Sequence, residues 1–166
     1  MKPTAIVYTS NTGFTARYAA LLSEETGLPA YSMKEAGKKL SKGASIIYLG
    51  WLFTNNVKGY DKASSKYDIR VVCGVGLCPT GSMLAEVRQA TKLPEALPLF
   101  TVQGGMDLAI LKGTHKFMIK ALTKILLSKT YKSEEEKAML DLLQKGGDFV
   151  DKVNLKDLLH WYQTNT

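Results

Sequence analysis

The stretch Thr4-Ala5-Ile6-Val7-Tyr8-Thr9-Ser10-Asn11-Thr12-Gly13-Phe14-Thr15 runs from an apolar segment into a hydroxyl-rich turn and then into residues of helical pattern. Thr4 to Tyr8 predicts a strand, and a helix is predicted from about Gly13 to Glu25. A strand that feeds a polar turn into a helix N-terminus gathers free backbone N–H groups and the positive end of the helix dipole around one point, which suits a phosphate. Gly13 allows close approach of the backbone, and Thr9, Ser10, Thr12 and Thr15 can donate hydroxyl hydrogen bonds to phosphate oxygens. The same residues also fit a plain N-cap, with Asn11 or Thr12 satisfying the first helical N–H groups. The local pattern leaves both readings open.

Outward from this turn, strand-like runs alternate with helical ones. Gly27 and Pro29 end the first helix, since glycine suits the position after a helix and proline cannot continue it. A short second strand is expected around Ala30 to Met33, a third from Ser45 to Leu52, a fourth from Ile69 to Val75 and a fifth from Leu97 to Val102. The third and fourth are apolar without alternation, as strands buried on both faces are. A helix is predicted over Met83 to Thr91, and the chain from Asp107 onward reads as mainly helical, over Thr114 to Ser128, Ser133 to Lys145 and Asn154 to Gln163. The order predicts an α/β fold with a parallel sheet covered on both faces. No repeat or linker divides the 166 residues, so one domain over 1–166 is expected, long enough to bury a core without a staple.

Hydrophobic residues at 45% and charged residues at 22% are ordinary for a globular chain and argue against disorder or a disulfide scaffold. No apolar run reaches membrane-span length, and the opening residues lack the features of an export peptide, so a cytoplasmic location is expected. Cys73 and Cys78 stand at a spacing that matches neither a redox pair nor a zinc knuckle and are expected to be free thiols. His115 and His160 lack a metal-ligand arrangement, and no metal site is expected. Glu134, Glu135 and Glu136 follow Ser133, the pattern of a capped helix start.

Charge is the unusual feature. Lys and Arg number 22 against 15 Asp and Glu, a formal net charge of +7. A cationic balance fits nucleic acid, an anionic membrane surface or an acidic protein partner. From Leu108 to Ser133 there is no acidic residue, and six lysines stand there: Lys112, Lys116, Lys120, Lys124, Lys129 and Lys132. At about 100° per residue the first four share one helical stripe, with Leu111, Met118, Ile119, Leu122, Ile125 and Leu126 opposite. The stripe reads either as the solvated face of a core-packed helix or as a contact with an anionic leaflet or an acidic redox partner.

The segment Thr9 to Thr15 (TSNTGFT) resembles the phosphate-binding loop of flavodoxins, whose T/S-x-T-G-x-T pattern follows the first strand. The resemblance implies a flavodoxin-like three-layer α/β/α sandwich with a five-stranded parallel sheet in the order 2-1-3-4-5 and FMN bound at the carboxyl ends of the strands. Thr9, Ser10, Asn11, Thr12, Gly13, Phe14 and Thr15 would then hold the phosphate. Trp51, Leu52, Phe53 and Thr54, in the loop after the third strand, would reach the isoalloxazine ring, with Trp51 or Phe53 stacking on it. Trp51 also fits a core aromatic at a strand end. Gly74, Gly76 and Cys78, after the fourth strand, would close the other side with backbone groups that tune the flavin. Gly76 to Ser82 lacks the lysine of a nucleoside-triphosphate loop, which argues against ATP or GTP hydrolysis.

A second, narrower stretch, Gln103 to Asp107 leading into Thr114-His115-Lys116-Phe117-Met118-Ile119-Lys120, resembles menaquinone-dependent protoporphyrinogen oxidases, which are flavodoxin-like flavoenzymes. The two resemblances together imply electron transfer through FMN, with a redox protein or a quinone as partner. The alternatives are a quinone-linked flavoenzyme, with the basic segment at the inner face of a membrane, and a flavodoxin-like module without flavin. No nucleic acid partner is expected. Typical electron-carrying flavodoxins are acidic, so the net charge of +7 points towards a different kind of partner.

Overall fold

The computed structural model describes residues 1–111 and 113–165. Strand β1 (Ala5–Thr9) leads into helix α1 (Phe14–Thr26), followed by β2 (Ala30–Ser32), α2 (Met33–Lys39), β3 (Ser45–Phe53), β4 (Asn56–Val57), α3 (Tyr60–Ser64), β5 (Asp68–Gly76), α4 (Leu84–Thr91) and β6 (Leu99–Gln103). After a further segment come a short 3-10 turn over Lys152–Leu155 and the last helix. The strands are parallel in the order β2-β1-β3-β5-β6, with β4 folded back antiparallel on β3. With the two-residue β4 set aside, this is the order 2-1-3-4-5, a flavodoxin-like three-layer α/β/α arrangement.

Met1–Gly104 and the residues from Val150 onward form one compact unit, and Gly105–Phe149 a second. In the first, the sheet separates two apolar layers. Ala5, Val7, Ile46, Tyr48 and Val72 pack with Ala36, Ala63 and Val87 of α2, α3 and α4 on one face. Ile6, Ile47, Leu49, Val71, Cys73 and Val102 pack with Tyr18, Ala19 and Leu22 of α1 and with Leu155 and Leu158 on the other. Successive strand residues alternate between the layers, which explains why Ile46–Leu49 of β3 and Val71–Cys73 of β5 are apolar without a break. Each fully buried Ile, Leu or Val adds about 1.5–3 kcal/mol of transfer free energy. The Tyr18 hydroxyl, buried under this layer, donates to the Gln103 carbonyl at 2.5 Å and accepts from Asn154 Nδ2 at 2.8 Å, linking α1, β6 and the 3-10 turn.

The second strand is shorter than expected because Ser32 already caps α2. Its hydroxyl accepts from the Glu35 N–H, and the Glu35 carboxylate accepts from the Ser32 N–H, a reciprocal capping box.

The second unit opens with β7 (Gly105–Met106), paired antiparallel with β8 (Gly147–Asp148). Between them lie α5 (Gly113–Ser128) and α6 (Glu134–Lys145). Ser133 caps α6 with a second capping box through Glu136, the acidic first turn expected from the sequence. Lys112 lies outside the described residues. Within this unit Leu126 is buried on α5, while Met118, Leu122 and Ile125 are exposed, so much of the side read as apolar core remains uncovered. Helix α7 (Lys156–Asn165) returns the chain to the first unit. Among the described residues no helix is long and apolar enough to cross a membrane.

Two buried groups weaken the fold at alkaline pH. Burial pushes the Cys73 thiol up from 9.0 to about 12, and the Tyr48 hydroxyl up from 10.0 to about 12 against the lowering effect of its bond to Thr9. Both are favoured as the neutral form, so their contribution is fully present below about pH 9 and is lost as pH rises towards 12. At about pH 10.5 the loss comes to about 2 kcal/mol from Cys73 and about 1 kcal/mol from Tyr48. Urea midpoints at neutral pH and at that pH measure it, and Cys73→Ala should flatten the slope.

Candidate functional site

The carboxyl ends of four strands lie side by side. Thr9 is paired with Gly50, Trp51 with Val75 and Gly76 with Gln103, and the Gly104 N–H donates to the Gly76 carbonyl at 2.8 Å. The turn after β1, the hairpin after β3 and the loop after β5 therefore rise from one sheet edge.

In the first turn, Gly13 is the residue before α1 and has a φ of 98°, a conformation that only glycine adopts cheaply. Its own side is open, with nothing within 4 Å of a Cβ placed there. The side chain that satisfies the head of the helix is Ser10, whose Oγ accepts from the N–H groups of Gly13 at 3.2 Å and Ala16 at 3.4 Å. Asn11 and Thr12, the residues expected to cap, make neither bond. Among the described residues no acceptor meets the Phe14 and Thr15 N–H groups. Two amide donors and the helix dipole thus stand behind a loop whose Thr12 is half-buried and whose Asn11 is exposed. Thr15 is only 1% exposed, packed under the first turn of α1. The Arg17 guanidinium lies 5.9 Å from the Phe14 ring, bringing a cation to the same turn.

Thr9 has a different role from its neighbours. Its Oγ1 lies 2.8 Å from the Tyr48 hydroxyl, which is 2.7 Å from the Lys58 carbonyl. A carbonyl only accepts, so Tyr48 donates to Lys58 and Thr9 donates to Tyr48. The Thr9 proton is committed to tying the end of β1 to the chain after β4. Gly59 closes this knot at a φ of 83°: a Cβ there would lie 2.3 Å from Tyr48 Oη and 2.5 Å from Thr9 Oγ1.

The stretch after the third strand is a tight hairpin. β3 continues through Phe53, Thr54 and Asn55 form the turn with φ of 48° and 61°, and Leu52 and Phe53 pair with Val57 and Asn56. Its return limb is held by the Val57 N–H donating to Thr91 Oγ1 at 2.9 Å and Asn56 Nδ2 donating to the Ala90 carbonyl at 3.0 Å. Strand alternation puts Trp51 and Phe53 on the α1 face, half-exposed and edge to face with centroids 5.7 Å apart. Lys58 Nζ stands 5.0 Å from the Phe53 ring centroid. Leu52 points the other way, into the layer of α2 to α4, and covers Gly74 and Gly76, where a Cβ would come within 2.9 and 2.8 Å of its methyl groups. Thr54 sits at the exposed hairpin tip.

The loop after β5 is fixed to β6. Gln103 Nε2 donates to the Leu77 carbonyl at 3.0 Å, the Gln103 N–H donates to Thr80 Oγ1 at 3.0 Å, and Thr101 Oγ1 donates to the Ser82 carbonyl at 2.7 Å. Cys78 is half-buried, and burial with the nearby Glu86 raises its pKa, so the group there is a neutral thiol. Both cysteines are free.

The sequence pattern missed Tyr48, Lys58 and Gly59, which fix the loops. It also missed Arg17, whose position four residues after Gly13 was a usable signal for a cation at the helix head. Compared with protein-family models, curated proteins and solved structures, the chain matches none of them.

Proposed function

We propose that the first unit binds FMN at this sheet edge and transfers electrons through it. The observation that carries the reading is the pair of open Phe14 and Thr15 amides behind the Ser10–Gly13 turn, on the same edge as the half-exposed Trp51 and Phe53 rings. The residues fit a flavin nucleotide: the amides and the Thr12 hydroxyl hold the phosphate, with Arg17 adding charge, and the aromatic pair offers an apolar wall for the ring. When bound, FMN supplies one- and two-electron redox chemistry. The chain binds, orients and shields. Ser10 and Gly13 shape the anion cradle, the Thr9–Tyr48–Lys58 bonds hold it in register with the hairpin, and the pinned Leu77–Ser82 loop presents backbone groups without a costly rearrangement.

The test is reconstitution: protein purified in excess FMN should be yellow, release FMN on denaturation and bleach reversibly with dithionite. A folded protein that takes up no FMN would mean a module without flavin. A second reading, a quinone-linked oxidase, is favoured by the exposed apolar and basic face of α5. Menaquinone-dependent oxidation of protoporphyrinogen by the yellow protein would establish it over a carrier.

A further inference from the structure

We infer that α5 is a docking helix for an anionic lipid surface. Its sides carry three different surfaces. Leu126 is buried and Ile119, Thr123 and His115 are half-buried, marking the side turned into the second unit. Next round the helix stand Lys116, Lys120 and Lys124, one turn apart in a single row and all exposed. Beyond them, over an arc of about 140° at 100° per residue, lie Phe117, Ala121, Ile125, Met118 and Leu122. All five are exposed, Phe117 by 74% and Ile125 by 58%.

A solvated helix face carries polar residues, and a core face is covered. This one is neither. An uncovered apolar arc with a lysine row along its border is the pattern of a helix lying in the plane of a membrane, its apolar side among the acyl chains and its cations at the headgroups. Charge selects the occupant. No carboxylate lies between Leu108 and Ser133, and in the following helix Glu134 is paired with Lys137, Glu136 with Lys129 and Asp141 with Lys145. The surface that completes α5 is therefore both apolar and negative. A leaflet containing phosphatidylglycerol offers both along the whole helix, whereas an acidic protein groove would need its carboxylates in one row beside the arc.

Sedimentation of the whole protein with vesicles tests this without any cofactor, so its failure is distinguishable from a failure to bind FMN. The chain should pellet with phosphatidylcholine vesicles containing phosphatidylglycerol at low salt, be released at high salt, and stay in solution with phosphatidylcholine alone. The triple change Lys116→Gln, Lys120→Gln, Lys124→Gln should weaken binding about a hundredfold. Phe117→Ala with Ile125→Ala should weaken it by about a hundredfold as well. These side chains are exposed, so far-UV circular dichroism should be unchanged, and the salt and lipid dependence of the unsubstituted chain is a second measurement free of any folding effect. Binding that ignores lipid charge, no binding at low salt, or folded variants that pellet like the parent would overturn the assignment. In the second case a protein partner takes the place of lipid.

Discussion

Thr12→Glu is expected to leave the fold intact and remove nearly all affinity for FMN. The residue is half-buried in the turn between β1 and α1, in front of the open Phe14 and Thr15 amides. With FMN seated at the turn as proposed, a carboxylate at this position would come within about 5 Å of its phosphate. At an effective dielectric near 20, discounted for solvent, the repulsion between single and double negative charges amounts to about 3–4 kcal/mol. FMN affinity should therefore fall several hundredfold, whereas riboflavin, which has no phosphate, should bind parent and variant equally well. Thr12→Val with Thr15→Val separates charge from hydrogen bonding: losing a hydroxyl bond to a charged acceptor costs about 1.5–3 kcal/mol. Flavin fluorescence titration reads both. If Thr12→Glu took up FMN as the parent does, the turn would not be the anchor.

The second large effect concerns stability and tests the knot beneath the site. Gly59→Ala places a methyl group 2.3 Å from Tyr48 Oη and 2.5 Å from Thr9 Oγ1, at a φ where any side chain is already strained. The left-handed conformation costs about 1 kcal/mol, and displacing the two hydroxyls leaves the Lys58 carbonyl without its donor, adding about 1–3 kcal/mol. The melting temperature should drop by about 10 °C. Because Gly59 and Tyr48 share this contact, combining Gly59→Ala with Tyr48→Phe should cost less than the sum of the two changes. Calorimetry on the four proteins checks this, and additive losses would show that the crowding is relieved elsewhere.

The α/β class was legible because β1, β3, β5 and β6 hold apolar runs ended by turns and separated by helical stretches, whereas the strand order followed from the resemblance of the Thr9 to Thr15 turn to the flavodoxin loop. Shorter elements were not legible. The return strand Asn56–Val57 is two residues long, and its turn, Thr54-Asn55, lacks the glycine that marks most such hairpins. Helix α2 hid in a lysine-rich stretch, although Ser32 and Glu35 at its start spell out its cap. The exposure of Met118, Leu122 and Ile125 was not legible because the apolar spacing of α5 matches that of a core helix; spacing shows which residues share a face but not whether another element covers it. After β1 the residue pattern showed where the chain turns into a helix but not the partners of the side chains in that turn. Thr9 looked equivalent to Thr12 as a hydroxyl donor, yet Tyr48, 39 positions away and indistinguishable from its apolar neighbours in β3, accepts its hydrogen bond.

The inserted unit also sets the timetable of synthesis. Its strands β7 and β8 pair with one another, so the segment between β6 and the 3-10 turn begins and ends on its own short ladder. The helix that completes one layer is deferred, however. All five strands of the parallel sheet leave the ribosome before Leu155 and Leu158, which pack in one layer with Ile6, Ile47 and Val71. For several seconds at ordinary elongation rates the nascent sheet has one greasy flank incompletely roofed, held by α1 alone, and it is during this interval that the growing chain is most exposed to chaperones and to aggregation.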